Sequence, residues 1–247
     1  MNSNTVKQKV AVVSGGSSGI GRALVAALCK DGYRVLTCGR DAAKLRRLEQ
    51  DLPGVRGYIC DVADRQAVQR FAAEVLADHP AIDLLISNAG GLREIDFTAP
   101  DLAAIDCTAE LRSNLEGAIH LIAAFMPGLR RASPAAILVV SSGYALAPAT
   151  RAPITSASPA ALHSLCKSLR RQLAPLKISV TELLPPLVDT PAVAHRQGKK
   201  ISAEAVANLA LAGAIRGAEE ICPGDVRMLP LMLRLLPGVA EKIVAKT

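Results

Sequence analysis

One stretch constrains the fold of this chain more than any other: Ser14-Gly15-Gly16-Ser17-Ser18-Gly19-Ile20-Gly21, lying between an apolar run and a helical pattern. Val10 to Val13 reads as a buried strand and Ile20 to Lys30 as a helix that stops at Gly32. Glycines at this spacing permit a tight turn and let the backbone approach a pyrophosphate. The helix behind the turn offers free N–H groups and the positive end of its dipole. A glycine-rich turn alone is a weak signal, but a strand before it and a helix after it strengthen it.

The rest of the chain continues the same rhythm. Arg34 to Cys38, Tyr58 to Cys60, Asp83 to Ser87, Ala136 to Ser141 and Ile178 to Leu183 read as further strands. Helical patterns intervene at Asp41 to Asp51, Arg65 to Asp78 and Leu111 to Leu129, and another ends near Leu173. Strand–helix alternation implies a parallel sheet with right-handed crossovers. The expected fold class is therefore α/β: a single doubly wound, mainly parallel sheet with helices on both faces, these six strands and one more implied by the resemblance set out below making it seven-stranded. No linker, charge block or repeat divides residues 1–247, so one domain is expected, with about 186–247 as a substrate lid and C-terminal packing segment. There, Ser202 caps a helix running to Ile215. Met228 to Val239 is apolar, broken by Pro230 and Pro237, and suits packing or a subunit contact better than a membrane-surface segment.

Half of the 247 residues are hydrophobic and Trp is absent, so the core must be built from Ala, Val, Leu and Ile. No run is apolar enough to span a membrane, and Met1 to Lys9 lacks the centre of a secretory signal. The six cysteines have neither disulfide nor metal spacing and read as buried thiols of a reducing cytoplasm. A net charge of +7 without clustered basic or stacking residues argues against nucleic acid and suits a polyphosphate ligand. No metal site is expected.

The spacing G-x-x-x-G-x-G resembles that of the short-chain dehydrogenase/reductase family, and further segments agree in order. Cys60-Asp61-Val62 matches the adenine-contacting segment, and Ser87-Asn88-Ala89-Gly90 resembles the family's N-N-A-G. Asn114 in Asn114-Leu115-x-Gly117 matches the active-site asparagine, and Ser141-Ser142 the serine pair whose second member polarises the substrate carbonyl. Pro185-Pro186-Leu187-Val188-Asp189-Thr190 resembles the turn holding the nicotinamide carboxamide. Together with Glu182-Leu183 before it, this turn is most like the branch ending its sixth strand in E-L-x-P-P-x-V-x-T.

The resemblance implies a cofactor site formed by Ser14, Gly15, Ser17, Ser18, Gly19, Ile20, Gly21, Arg40, Asp61, Val62, Asn88, Gly90, Pro185, Val188 and Thr190. Each residue also has a plain reading: Asn88 and Asn114 as structural bridges, Asp61 as a turn cap, Ser142 as a strand end. At the end of the second strand, Gly39-Arg40 replaces the carboxylate that an NAD site uses. A guanidinium pairs with a 2′-phosphate, so NADP(H) is expected over NAD(H). The alternative is Arg40 as a solvated residue at the helix entry.

The resemblance breaks at one place. Where the family has Y-S-A-S-K-A-A-L, this chain reads Thr155-Ser156-Ala157-Ser158-Pro159-Ala160-Ala161-Leu162. Thr155 stands for the Tyr that moves the proton, and Pro159 for the Lys that lowers its pKa. Losing a positioned general acid costs roughly 10²–10⁴-fold in rate. Tyr144, two residues past Ser142, is the candidate substitute, so the expected catalytic set is Ser142, Asn114 and Tyr144. His163 reads as a packed helix residue. Pro159 is also expected to delay its helix, with Ser158 as N-cap and Arg151 to Ala157 irregular.

These observations imply an atypical NADP(H)-dependent oxidoreductase in the cytoplasm, reducing a small-molecule imine, iminium or activated carbonyl, and a homodimer or homotetramer. Leu162, Leu165 and Leu169 form an apolar stripe that suits core or interface. The rival readings are a silent cofactor-binding protein acting through contacts, and a non-redox cyclase or isomerase.

Overall fold

The computed structural model describes residues 8–246. The polar N-terminal stretch read from the sequence lies outside them, apart from Gln8 and Lys9. Seven strands form one parallel sheet: β1 (Val10–Ser14), β2 (Arg34–Gly39), β3 (Val55–Ile59), β4 (Leu84–Ser87), β5 (Ala135–Val140), β6 (Ile178–Leu183) and a short edge strand, Glu220–Ile221. Because β7 (Val188–Asp189) and β8 (Ile201–Ser202) pair separately, that edge strand is β9, and the sheet order is β3-β2-β1-β4-β5-β6-β9. All of its pairings are parallel. The fold class expected from the sequence is the one observed.

Strands buried on both faces are near-continuously apolar, as β1 (VAVVS) and β4 (LLIS) are. One face carries α3 (Arg65–Asp78), α5 (Gly117–Ala132) and α6 (Pro153–Leu173), meeting the sheet through Phe71, Phe125, Leu121 and Leu162. The other carries α1 (Gly19–Lys30) and α7 (Ala203–Ile215), with Leu48 of α2 (Ala42–Asp51) joining them. Leu162 is in the core, and Leu165 and Leu169 pack against it, so the stripe on α6 serves the core. The strand order reverses between β1 and β4, and ligands of doubly wound sheets bind at such a switch point.

Three local readings need correction. The third strand begins at Val55 rather than Tyr58; it is an edge strand whose exposed Arg56 hides the periodicity. Three of the six thiols, Cys29, Cys107 and Cys222, are half-exposed rather than buried. The third correction concerns α6, which starts at Pro153 and runs unbroken past Pro159. Pro153 occupies the first helical position, where a missing N–H costs nothing. Ser156 N–H donates to the Ala152 carbonyl at 2.9 Å, and Ser156 Oγ bonds both Ala152 O and Ala149 N. Thr155, Ser156, Ser158 and Pro159 are all buried. That packing and the side-chain bonds outweigh the one helical bond that Pro159 cannot make.

Ser202 does cap α7, accepting from Ala205 N–H at 3.1 Å. The apolar tail forms α8 (Leu229–Leu235) and α9 (Pro237–Ala245), which bury Leu229, Ala240 and Val244 against Ala147, Leu184 and Val226.

Candidate functional site

At the carboxyl ends of the strands lies a cleft of about 1120 Å³, which runs from the glycine turn past the end of β5 to α8 and α9. Its floor at β1 depends on glycine. A Cβ on Gly21 would lie 2.2 Å from the Gly15 carbonyl, and one on Gly15 would lie 2.9 Å from Ala89 Cα. Gly15 and Gly19 hold φ of +69° and +53°, which other residues avoid. Ser18 precedes α1 without a side-chain cap bond, so the first-turn N–H groups point into an open cradle. This is the geometry a pyrophosphate requires.

Of the expected cofactor residues, all but Ser14 line this cleft. Ser14 is fully buried behind it, and its Oγ accepts from Asn88 N–H and Ala89 N–H at 3.0 Å each. Asn88 Nδ2 returns bonds to the carbonyls of Ser14 and Gly15. The pair therefore stitches β1 to β4 and sets the shape of the turn. Asp61 Oδ1 accepts from Ala63 N–H at 3.0 Å, the local cap also foreseen for it.

Beyond the end of β2 the cleft is lined by exposed Arg40 and, unforeseen from the sequence, by Lys44 and Asp41. Asp41 caps α2: its Oδ1 takes the N–H groups of Ala43 and Lys44 at 3.0 Å each. Its other oxygen lies 3.6 Å from Lys44 Nζ. These bonds hold its carboxyl below the usual carboxylate range, backbone bonding from Lys44 foremost.

At the other end, α4 (Ala109–Leu111) passes through a π turn (Arg112–Glu116) into α5, and Asn114 sits in that turn. π turns often mark functional sites, because they re-aim a side chain. Asn114 grips Gly91 twice, accepting from its N–H at 2.8 Å and donating to its carbonyl at 2.9 Å. One helical turn earlier, Glu110 is 4% exposed. Its Oε1 accepts from Asn114 Nδ2 at 3.2 Å and its Oε2 from Arg93 N–H at 3.1 Å. Thr155 Oγ1 lies 3.0 Å from the same Oε2 and 2.9 Å from the Arg93 carbonyl oxygen, while Arg93 N–H reaches it at 3.3 Å. A hydroxyl has one proton to give. If Thr155 donates it to Arg93, the contact with Glu110 needs a proton on the carboxyl. Desolvation does push the Glu110 carboxyl up, against the pull of its bonds from Thr155 and Arg93.

Ser142, Asn114, Tyr144, Thr155 and Pro159 line the same stretch of the cleft. Ser142 Oγ accepts from Tyr144 N–H at 3.2 Å, so its own proton remains free to donate. His163 is not part of the lining. Its Nδ1 lies 2.7 Å from Glu182 Oε2, in a buried pair between α6 and β6, where burial pushes the Glu182 carboxyl up. Glu220 lies close enough to complete a three-ligand group, but Arg170 Nη1 is 3.6 Å from it and already supplies a cation there.

The short chain dehydrogenase family model matches residues 9–200. The chain belongs to that family. It is 36% identical over 227 residues to an uncharacterized oxidoreductase, DltE, of Bacillus subtilis, covering 90% of this chain and 88% of that one. A short chain dehydrogenase from Burkholderia cenocepacia in complex with NADP superposes with a TM-score of 0.85 at 27% identity, over 96% and 97% of the two chains. A second, from Burkholderia phymatum in complex with NAD, gives 0.82 at 24% identity over 92% and 95%, a likeness of fold. This chain is thus an oxidoreductase-type member of the family, with neighbours that carry either dinucleotide.

Glu110, Arg93 and Arg196 were not foreseen from the sequence. The first was findable, because Glu110 lies four residues before Asn114 on one helical face.

Proposed function

We propose that this chain is an NADP(H)-dependent reductase of a small-molecule imine, iminium or activated carbonyl, working without the family's Tyr and Lys. The observation that carries the reading is the state of Thr155. Its hydroxyl is enclosed by Arg93 and Glu110, and by the sequence resemblance it stands where the family has its Tyr. Pro159, at the position of the Lys, has no charge with which to tune an acid. An acceptor that is already cationic takes a hydride without a proton. An activated carbonyl would draw on Ser142, with Tyr144 as the proton source.

The residues lining the cleft fit a dinucleotide, which would supply the hydride when bound. Gly15, Gly19 and the open first turn of α1 would hold its pyrophosphate; Asp61 and Val62 its adenine; Pro185, Val188 and Thr190 its carboxamide. NADP(H) is favoured because Gly39 offers no carboxylate, Asp41 is engaged in capping, and Arg40 and Lys44, which line the cleft, would pair with a 2′-phosphate. Asn114 holds the Gly91 backbone, beside which the nicotinamide would lie.

Residues 186 onward act as lid and packing segment, since Arg196, Leu229, Met232 and Val244 line the far end of the cleft. Exposed Met228, Leu231, Leu235, Leu236 and Val239 support a homodimer or homotetramer. The same surface favours the rival reading, a cofactor-binding protein acting through contacts. Among the described residues no helix is long and apolar enough to cross a membrane, and we place the protein in the cytoplasm on its free thiols. NADPH oxidation on a panel of cyclic iminium salts and activated ketones separates the readings: turnover supports the reductase, and tight binding without turnover supports the rival.

A further inference from the structure

The lid is tied to the loop after β4 by one ion pair, and that pair is charged in excess of its need. Arg196 Nη2 lies 2.5 Å from Glu94 Oε1, joining residues 102 apart in the chain. Arg151 Nε reaches the same oxygen at 3.3 Å. Two guanidiniums thus share one carboxylate, and both line the cleft while Glu94 does not. Lys199 adds a third cation to the lining.

Arg196 is unusual in a second respect. Its side chain is 5% exposed, and its Nε is buried with no hydrogen-bond partner among the described residues. An unsatisfied buried donor is costly, and more so on a charged group. Neither Glu94 nor a backbone carbonyl relieves it. A cation kept there, on a side chain that lines the cleft and has one donor left over, is suited to an anionic group that arrives with the ligand.

We propose that Arg196, steadied by Glu94 and supported by Arg151, is an oxyanion subsite, and that the substrate therefore carries a carboxylate or phosphate group. This rests on the reductase reading for its chemistry, the reducible carbon lying toward Ser142 and the anion toward the lid. No bond is made or broken at the subsite; it binds and orients. Two sources of oxyanion are possible, the substrate and the phosphates of the cofactor, and the experiment separates them.

Acetate, inorganic phosphate and neutral acetamide are titrated onto the isotope-labelled full chain, cofactor-free and saturated with NADP⁺. Arginine Nε–H resonances and the melting temperature are followed. Acetate and phosphate are expected to shift one buried Nε–H in both forms, with acetamide inert. In Arg196→Gln the anion affinity should fall about tenfold, as for the loss of one charge-assisted contact, with NADP⁺ affinity within about twofold of the parent. Arg151→Gln, at a half-exposed position that tolerates change, should weaken the anions about threefold and serves if Arg196→Gln fails to fold. Unchanged anion affinity in both variants overturns the proposal. So does competition between the anions and NADP⁺ with parallel loss of both, which assigns Arg196 to the cofactor. Failure of NADP⁺ to bind at all counts against the reductase reading instead, because the cofactor-free titration still reports on Arg196.

Discussion

Thr155 Oγ1 lies 3.0 Å from Glu110 Oε2, so a hydroxyl on α6 is tied to a buried carboxyl on α4 at the point where the cleft meets the long helix. The contact holds three segments together, because Arg93 of the loop after β4 bonds to both partners. Replacing the hydroxyl by a methyl leaves the Arg93 carbonyl and one oxygen of Glu110 without it. Thr155→Val should therefore cost about 1–3 kcal/mol of stability, with NADPH affinity nearly unchanged. Denaturant unfolding and a cofactor titration read the two effects. A variant as stable as the parent would show the network to be incidental.

The same carboxyl predicts a pH dependence. Its pKa is raised in the folded protein by desolvation, so its contribution to stability is whole below the unfolded value of about 4.3. It is lost as pH rises through the folded value. Glu110→Gln removes that loss. Relative to the parent, the variant should gain stability steadily from about pH 4.3 up to the raised folded value and then level off. Melting temperatures at matched ionic strength test this, and parallel pH profiles would refute it.

The proposed preference for NADP(H) rests on Arg40 and Lys44, which line the cleft. Arg40→Ala should weaken NADPH about tenfold and leave NADH within about twofold, and the double variant with Lys44→Ala should abolish the preference. Nucleotide fluorescence gives both dissociation constants. Equal affinities for the two cofactors in the parent would contradict the reading.

Most of the sheet was legible because β1, β2, β4, β5 and β6 carry apolar runs separated by helical patterns, whereas β3, with its exposed Arg56, was the strand misplaced. The glycine turn was legible for a different reason: its spacing has a backbone cause that survives any packing. What escaped was tertiary. The start of α6 was misplaced because a local rule about Pro159 lost to the buried contacts of Thr155, Ser156 and Ser158. Ser14 looked like part of the turn and proved to be its clamp, since nothing local reveals that Asn88 reaches back to it. Arg196 and Glu94 meet across 102 residues, a distance over which spacing carries no signal.

Installing the Tyr and Lys that the proposed reading takes to be replaced tests whether the pocket has otherwise changed. Thr155→Tyr with Pro159→Lys should raise ketone reduction by about 10²–10⁴-fold, since Ser142 and Asn114 line the cleft beside them. Pro159→Lys also returns an N–H to the middle of α6. A folded, NADPH-binding double variant inactive on a broad carbonyl panel would mean that the Glu110–Arg93 network has closed the space a Tyr needs.

The most direct test of the account is the rate of NADPH oxidation in a single turnover, with a preformed cyclic iminium carboxylate and, in parallel, the ketone of matching shape. The iminium should be reduced stoichiometrically and at least about tenfold faster, because it needs no proton from position 155. Reduction of the ketone at an equal or greater rate, or bound NADPH that neither compound oxidises, would contradict it.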